Sequence, residues 1–341
     1  MPINKDALDV WSELAPEWDA GIGRDGNVYW EILQKPTLEK LFAASRALPG
    51  GAPVHALDIS TGNGLTARWL TSYLGGTGEY AGGCSSTESN ESNESSERSE
   101  DKKEDKKEDK KEDKKVVVTA TDGSEVMLGR ARAWAAEHAD VTPEQRALTF
   151  ARLDATSPDD FAKFYAAPPS RPAFDAILMN MAIMDVPTLE PLAAALPHML
   201  AVGGVFVGSL LHPVFITPRT RRLVEVVHDF DHVAGMDDRS VDSTFTTYKR
   251  SVRLDGYLHV APWRGFAWPG QSRAQYYFHR PLHELFGVFL RGGQLALDGI
   301  EEPNFTPEQA AADPAASKRV EMSKNFTEFP IFLYFRLRRI K

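Results

Sequence analysis

The sequence predicts an α/β fold, in which an open, mostly parallel sheet of about seven strands carries helices on both faces. Three observations support this prediction. Short apolar runs alternate with segments of helical periodicity through most of the chain. A glycine-rich loop follows the first of these runs and opens a helix. A strongly apolar run near the end of the sequence fits a last strand that joins the sheet antiparallel to its neighbours.

The composition limits the class of protein before any motif is considered. The chain has 341 residues, 42% of them hydrophobic, and a formal net charge of −9. We expect a single domain over residues 1–341, and the negative charge argues against a general nucleic-acid binder. The single cysteine, Cys84, excludes an internal disulfide and indicates a reducing compartment. Because neither a signal core nor a membrane-length apolar run is present, we expect a cytoplasmic protein without a membrane partner. We also expect a monomer or a homodimer.

The elements of the first half follow one another in order. Residues 1–45 are predicted to form an N-terminal helical segment that acts as a lid. A strand over His55–Ile59 leads into the glycine loop, a helix covers Leu65–Leu74, and a second strand covers Val116–Thr121. Together these elements make the strand–helix–strand unit of a parallel sheet.

A low-complexity insertion separates that helix from the second strand. Residues 84–115 read CSSTESNESNESSERSEDKKEDKKEDKKEDKK and contain no aliphatic or aromatic residue, so we expect disorder. The EDKK repeat sets like charges opposite each other at i,i+4, as for Glu100 and Glu104, which weakens a helix. The segment is either a tolerated surface insertion or a docking or regulatory tail.

Leaving the insertion out restores a spacing that nucleotide-binding folds share. Gly64 and Asp122 lie 58 positions apart, and omitting the 37 residues from 79 to 115 reduces that separation to 21. In strand–helix–strand units that bind nucleotides, the ribose-binding acid follows the glycine loop by about 20 residues. The sequence therefore predicts that Asp122 ends the second strand and serves the same ligand as the glycine loop.

The second half continues the alternation and then changes character. Helices are predicted in SEVMLGRARAWAAEH and TLEPLAAALPHML, the latter stopped by Gly203 and Gly204, and strands in ALTFARLDA, FDAILMNM and VFVGSLL. Residues 212–280 are rich in aromatic side chains with little periodicity, and we expect them to form a substrate cap. A helix in PLHELFGVFLRGG and strands in QLALDGIEEP and FPIFLYFRLRR complete the predicted fold.

The residue that precedes the glycine loop is an acid, Asp58, in the stretch ALDISTGNGLTARWL. A loop that binds phosphate gains nothing from a negative charge at that point. A ligand with an ammonium group or a ribose does gain, because a carboxylate accepts hydrogen bonds from either. The pattern therefore favours a phosphate-free ligand that carries such groups.

Five features, in this order, resemble the class I S-adenosylmethionine-dependent methyltransferases of the small-molecule type, over nearly the whole chain outside the insertion. They are the LDISTGNG loop, the acid of TDGSEVML, the Asp154–Ala155 pair, the FDAILMNMA strand and the glycine pair before the fifth strand. Ser60 stands where the family usually has its first glycine. Because serine has a Cβ atom, we expect its backbone to avoid the left-handed region.

The resemblance implies a Rossmann-like fold, S-adenosyl-L-methionine as cofactor, and methylation of a small molecule on oxygen or nitrogen by in-line displacement. It also implies that Asp122 takes the ribose hydroxyls, Met127 packs near the adenine and Asp154 faces the adenine amino group. Independently of the resemblance, Trp18 and Tyr29 in the N-terminal segment are candidates to close over the cofactor, with plain packing as the alternative. The predicted cofactor-binding residues are Asp58, Ser60, Gly62, Gly64, Asp122, Gly123, Met127, Asp154, Ala155, Asn180, Met181, Trp18 and Tyr29.

The methyl acceptor is expected under the cap. His212 directly follows the fifth strand, and Tyr276 and His279 lie in the aromatic stretch QYYFHR before the late helix. We predict these three residues as catalytic candidates, the histidines because an imidazole that titrates near neutral pH can take a proton from the acceptor. A structural hydrogen bond is the alternative for both histidines. No residue spacing typical of a metal site occurs, so no metal is expected.

Two other functions stay open on the sequence. Gly62, Gly64 and Ala67 satisfy the GxGxxA pattern of dinucleotide-binding loops, which fits an NAD(P)-dependent oxidoreductase with Asp122 as its ribose acid. Against this alternative, the charge of Asp58 opposes a pyrophosphate at the loop. A cofactor-binding regulator without catalytic activity is the other alternative.

Overall fold

The computed structural model describes residues 2–46, 53–75, 115–137, 146–166, 173–230 and 244–341. Of the low-complexity insertion only Lys115 lies within this part of the chain, so the expectation for residues 84–114 falls outside it. The strands are β1 (Val54–Ile59), β2 (Val116–Asp122), β3 (Arg146–Arg152), β4 (Phe174–Met179), β5 (Leu200–Leu211), β6 (Arg221–Phe230), β7 (Thr244–Arg253), β8 (Trp263–Gly265), β9 (Gln275–Tyr277), β10 (Leu295–Glu301) and β11 (Phe332–Arg339). The α-helices are α1 (Pro2–Ile22), α2 (Lys35–Arg46), α3 (Leu65–Gly75), α4 (Glu125–Ala136), α5 (Pro158–Ala166), α6 (Glu190–Met199), α7 (Leu282–Leu290), α8 (Pro307–Ala311) and α9 (Pro314–Lys318).

Seven strands form the central sheet, in the order β10-β11-β5-β4-β1-β2-β3. The pairs β1–β2, β1–β4, β2–β3 and β4–β5 are parallel, whereas β11 runs antiparallel to both of its neighbours, β5 and β10. The predicted fold class, with about seven strands and an antiparallel last strand, is confirmed. The strand after the insertion, β2, pairs with β1, as the predicted spacing between the glycine loop and Asp122 requires.

The two faces of the sheet are covered by different helices. On one face, Leu57 and Phe206 pack in a buried cluster with side chains of α5, α6 and α7. On the other face, Ala56 and Leu178 pack with side chains of α2 and α3. Because the central strands are buried on both faces, their sequences are nearly continuous apolar runs rather than alternating ones.

The glycine pair before β5 lies differently from the prediction. Helix α6 ends at Met199 and β5 begins at once at Leu200, so Gly203 and Gly204 lie inside the strand and do not stop the helix. A Cβ atom on Gly204 would lie 2.9 Å from the carbonyl oxygen of Phe174 on the neighbouring strand. The glycine is therefore needed for close approach of two strands, in line with the irregular register of β4 and β5 at this point.

The region between β5 and α7 contains two hairpins that the sequence did not predict. Strands β6 and β7 pair with each other outside the central sheet, and so do the short strands β8 and β9. Apolar side chains on the first hairpin remain exposed, for example Leu223 at 46% and Val226 at 51%. Over residues 221–227 and 247–253, where burial is described, the side chains of this hairpin are exposed or half-buried, so no alternating apolar pattern was needed or visible there.

Candidate ligand-binding site at the carboxyl edge of the sheet

A cavity of about 800 Å³ lies at the carboxyl ends of the parallel strands. The loops after β1, β2, β3 and β4 form its floor, while α1 and the segment around β8 and β9 close it from above. Its lining includes these predicted cofactor residues: Trp18, Tyr29, Ser60, Gly62, Asp122, Gly123, Met127, Asp154, Ala155, Asn180 and Met181. The other predicted residues, Asp58, Gly64, His212, Tyr276 and His279, are not in that lining.

Asp58 supports the glycine loop from inside the protein. Its side chain is completely buried, and Oδ2 accepts hydrogen bonds from the Oγ1 hydroxyls of Thr61 at 2.6 Å and Thr66 at 2.7 Å. Burial raises the pKa of this carboxyl to about 7, although the two threonine hydroxyls act in the opposite direction. Asp58 thus ties the loop to the first turn of α3. Thr61 and Thr66 were missed by the sequence analysis, although both are visible in the motif.

The glycine loop is also joined to β2 and packed against α4. The Thr61 N–H donates to the Thr121 carbonyl at 2.8 Å, and the Gly62 N–H donates to Asp122 Oδ2 at 3.0 Å. Gly64 has a φ of 81°, and a Cβ atom there would lie 2.9 Å from the Cβ of Ala131. Gly64 therefore permits the close approach of the loop to α4, whereas Gly62 faces the cavity.

Asp122 stands at the end of β2, where both of its oxygens accept backbone hydrogen bonds. Oδ1 accepts from the Ser124 N–H at 2.9 Å, and Oδ2 accepts from the Gly62 N–H. Burial raises the pKa of this carboxyl to about 6, against the effect of those N–H donors. Each carboxylate oxygen has a further lone pair. Because Asp122 lines the cavity, it can still accept hydrogen bonds from a diol.

Asp154 is held between the loop after β3 and helix α1. Oδ1 accepts hydrogen bonds from the N–H of Thr156 at 2.9 Å and from its hydroxyl at 2.7 Å. Oδ2 accepts one from the side-chain amide of Asn4 at 2.9 Å. Ala155 and Met127 are buried beside it at the same end of the cavity and offer an apolar surface to a flat ring.

Helix α1 is fastened across the cavity at several points. Asp19 accepts hydrogen bonds from Asn63 Nδ2 at 3.0 Å, from Arg130 Nη1 at 2.8 Å and from Trp134 Nε1 at 2.6 Å. Burial raises the pKa of Asp19, but these donors outweigh it and lower the pKa overall. The ring of Trp18 lies 5.7 Å from that of Trp268 in the cap. The helix therefore connects the glycine loop, α4 and the cap.

Two non-glycine residues of the lining have left-handed backbones. Ser60 has a φ of 59° and Met181 a φ of 53°. The expectation that Ser60 avoids this region is wrong. Ile59 pairs with β2 just before Ser60, and Thr61 and Gly62 contact β2 just after it, so the fold imposes a conformation that costs a serine about 1–2 kcal/mol. The Met181 N–H donates to the Ser209 hydroxyl at 2.8 Å, which fixes the second position.

The three predicted catalytic residues have partners outside the cavity lining. The Val214 N–H donates to His212 Nδ1 at 3.2 Å, so Nε2 carries the proton that it donates to Glu302 at 2.8 Å. Burial lowers the pKa of His212 despite that carboxylate. His279 donates from Nε2 to the Tyr257 carbonyl at 2.7 Å, and burial lowers its pKa as well. The Tyr276 hydroxyl accepts a hydrogen bond from Arg264.

These contacts favour the structural alternative for both histidines. The sequence analysis instead missed two acidic or phenolic side chains that do line the cavity, Asp185 after β4 and Tyr277 on β9. Within the described residues, no group of three His, Cys, Asp or Glu side chains is arranged to hold a metal ion. Among the helices of the described ranges, none has the length and apolar character needed to cross a membrane.

Comparison with known proteins identifies the fold. No protein-family model matches the sequence, and no curated protein matches it significantly. An S-adenosylmethionine-dependent methyltransferase from Mesorhizobium loti is 21% identical, with 93% of this chain and 100% of that chain covered and a TM-score of 0.52. A putative S-adenosylmethionine-dependent methyltransferase from Listeria monocytogenes is 13% identical over 89% and 100% of the two chains, with a TM-score of 0.46. The [4+2]-cyclase SpnF is 15% identical over 98% and 96%, with a TM-score of 0.49.

Proposed function

The chain has the fold of an S-adenosylmethionine-dependent methyltransferase, and on this premise we propose that it transfers a methyl group from S-adenosyl-L-methionine to a small molecule. One observation carries the proposal. The ends of β1, β2 and β3 meet at a single cavity, with the glycine loop, Asp122 and Asp154 in its lining, and that cavity continues past β4 beneath the cap. A cofactor on one side and an acceptor on the other can therefore share one enclosed space.

The residues at this edge fit the chemistry of the cofactor. Asp122 is placed to accept from the ribose hydroxyls, and the apolar surface of Met127 and Ala155 suits a purine whose amino group faces Asp154. The backbone at Ser60 and Gly62 is open to the methionine end. When bound, the cofactor supplies a methyl group already activated by a sulfonium. The protein's own part is to align the acceptor and exclude water, and Trp18 presents an aromatic face that suits a cation.

The same geometry disfavours a dinucleotide. A pyrophosphate needs free N–H groups at the loop and at the start of the helix. Here the N–H groups of Thr61, Gly62 and Gly64 donate to a Thr121 carbonyl, to Asp122 and back to the Thr61 carbonyl. The Leu65 N–H donates to the Asn63 side chain at 3.3 Å. The loop therefore has few donors left for a phosphate, while acids stand on either side of it.

A binding titration tests the cofactor. By calorimetry, we expect S-adenosylhomocysteine to bind and NADH to give no binding heat over the same concentration range. Binding of NADH alone would reverse the assignment and support the oxidoreductase. A screen of small acceptors with methyl-labelled S-adenosyl-L-methionine then separates an enzyme from a regulator. Tight binding without methylation of any acceptor would favour the regulator.

A further inference from the structure

The carboxyl group of Asp185 has no hydrogen-bond partner among the described residues. Asp185 ends a 3₁₀ turn, Ile183–Asp185, that follows β4, and it lines the cavity. Its Oδ1 atom is buried and unpartnered. Burial also raises the pKa of this carboxyl well above its ordinary value. A buried carboxyl without a donor is costly, so its presence in a cavity wall points to a ligand that supplies one.

Beside it stands Tyr277, whose hydroxyl proton is free by elimination. The Ala267 N–H donates to Gln271 Oε1, and Gln271 Nε2 donates to the Arg273 carbonyl; these two backbone groups fix the orientation of the Gln271 amide. Gln271 Nε2 also donates to Gln275 Oε1 at 2.6 Å. Gln275 Nε2 must therefore face Tyr277, and it donates to the phenol oxygen at 2.8 Å. Tyr277 accepts that bond and keeps its own proton to donate.

The turn and β9 are locked together, so the two side chains share one wall. The Phe278 N–H donates to the Met184 carbonyl at 2.7 Å. Arg280 donates to the carbonyls of Ile183 at 3.2 Å and Val186 at 2.8 Å, and not to the Asp185 carboxyl. The pKa of Tyr277 is raised by burial and further by the nearby charge of Asp185. A hydrogen-bond acceptor and a hydrogen-bond donor thus stand next to each other in the cavity.

Resting on the methyl-transfer function above, we propose that Asp185 and Tyr277 bind the hydroxyl group of the methyl acceptor, which is therefore an alcohol or a phenol. A hydroxyl can donate to Asp185 and accept from Tyr277 at once. An ammonium group can only donate and a carboxylate can only accept, so each leaves one partner unsatisfied. The same cavity is also lined by Trp268, Ile331 and Phe332, which suit an apolar or aromatic body.

This arrangement also accounts for the proton of the reaction. One lone pair of the acceptor oxygen accepts from Tyr277, and the other forms the new bond to the methyl carbon. The bond from that carbon to sulfur breaks, and its electron pair goes to the sulfur of S-adenosylmethionine, which becomes a neutral thioether. The hydroxyl proton passes to Asp185, which must have lost its own proton before the transfer and which its raised pKa then makes a strong base. The positive sulfonium and the negative carboxylate are thus replaced by a neutral thioether and a neutral carboxylic acid, so the charges balance.

Fragment binding to the protein saturated with S-adenosylhomocysteine tests the proposal. By ¹⁹F NMR we expect 4-fluorophenol to bind about fivefold more tightly than two analogues. These are 4-fluoroanisole, whose ether oxygen can accept but not donate a hydrogen bond, and 4-fluorotoluene, whose methyl group can neither donate nor accept one. Asp185→Leu and Tyr277→Phe should each reduce that preference to within about twofold. Tyr276→Phe is the matched control, because the neighbouring tyrosine lies outside the cavity lining, and it should leave the preference unchanged.

Two further measurements on the Asp185 variant distinguish a ligand-binding role of this residue from a structural one. Asp185→Leu removes an unpartnered buried carboxyl, so its Tm should rise, whereas loss of a structural residue would lower it. Its affinity for S-adenosylhomocysteine should stay within about twofold of the unmodified protein. Asp185→Ala, which also has no side-chain acceptor, replaces it if the leucine variant does not fold. Equal binding of phenol and anisole, no phenol binding, or an undiminished preference in both variants overturns the proposal. Failure of S-adenosylhomocysteine to bind the unmodified protein overturns the proposed function instead.

Discussion

At the end of the cavity formed by the loops after β1, β2 and β3, each acid accepts hydrogen bonds from the protein itself. Asp58 has two threonine hydroxyls, Asp122 has backbone N–H groups and Asp154 has Thr156 and Asn4. At the other end, Asp185 accepts none from any described residue. The acids of the first end are held by the protein's own donors, although Oδ1 of the buried Asp58 is unpartnered as well, whereas Asp185 lines the cavity without such a donor. On this contrast rests the proposal that the first end binds the cofactor and the second the acceptor.

The largest expected effect is the pH dependence that Asp58 gives to the stability of the ligand-free protein. Its pKa is about 7 in the folded state and about 3.9 when unfolded, so the folded state holds the proton more tightly. Below pH 4 this carboxyl is largely protonated in both states, so its ionisation does not change the free energy of unfolding. As the pH rises from about 4 to about 7 it ionises in the unfolded state first, and the free energy of unfolding falls by on the order of 4 kcal/mol. Urea unfolding between pH 5 and 8 should show a shallower profile for Asp58→Asn than for the unmodified protein. The slope that remains comes from Asp122 and Asp185, whose pKa values are also raised by burial.

The exposed acid Asp159 supplies the control for that measurement. Asp159→Asn should keep the pH slope of the unmodified protein, because the Asp159 side chain is exposed to water in the folded protein. If Asp58→Asn and the unmodified protein have parallel profiles, the buried carboxyl is not the source of the slope. Burial of the Asp58 carboxyl beneath this end of the cavity would then not lower the free energy of unfolding at neutral pH.

Next in size is the loss of cofactor affinity on changing Asp122. Asp122→Ala removes the carboxylate that we propose accepts from the ribose, and it also releases the Gly62 N–H. We expect affinity for S-adenosylhomocysteine, measured by calorimetry, to fall more than tenfold. Asp159→Ala should bind as the unmodified protein does. Unchanged affinity in a folded Asp122→Ala variant would remove this residue from the site and weaken the contrast between the two ends.

A smaller effect is expected from Asp19, which fastens α1 over the first end of the cavity. Asp19→Ala removes the partner of Asn63, Arg130 and Trp134, so α1 should open more often. We expect about fivefold weaker S-adenosylhomocysteine binding and faster hydrogen exchange in α1. Asp9→Ala, on the same helix but in an exposed pair with Lys5, should change neither. Equal exchange in both variants would mean that α1 is not a lid.

The smallest effect concerns the strained backbone of Ser60. Ser60→Gly relieves the cost of a φ of 59° but also loosens the unfolded chain, and the two nearly cancel. Stability should change by less than about 1 kcal/mol, and affinity for S-adenosylhomocysteine should stay within about twofold. A tenfold loss would show that the serine hydroxyl itself binds the ligand. The matched change Ser60→Ala would then show the same loss.

Much of the sheet could be predicted because its signals are local. Buried parallel strands appear as apolar runs, and each predicted strand of the central sheet is present. The strands of the cap were harder to predict, because the side chains of β6 and β7 whose burial is described are exposed or half-buried and show no periodic apolar pattern. The contacts of the predicted catalytic residues could not be predicted from local sequence either. His212 follows β5 as expected, yet its ring is turned to Val214 and Glu302, a contact across 90 residues.

The sequence by itself determined that acids and glycines gather at one edge of a sheet, because strands that run parallel bring their carboxyl ends together. Which way each side chain faces was decided only by the tertiary structure. Asp58 points into the interior and Asp122 into the cavity, although both end neighbouring strands. Asp154 meets Asn4 across 150 positions, and Asp185 beside Tyr277 is left without a partner. Such orientations depend on contacts between segments distant in the chain, which no local pattern encodes.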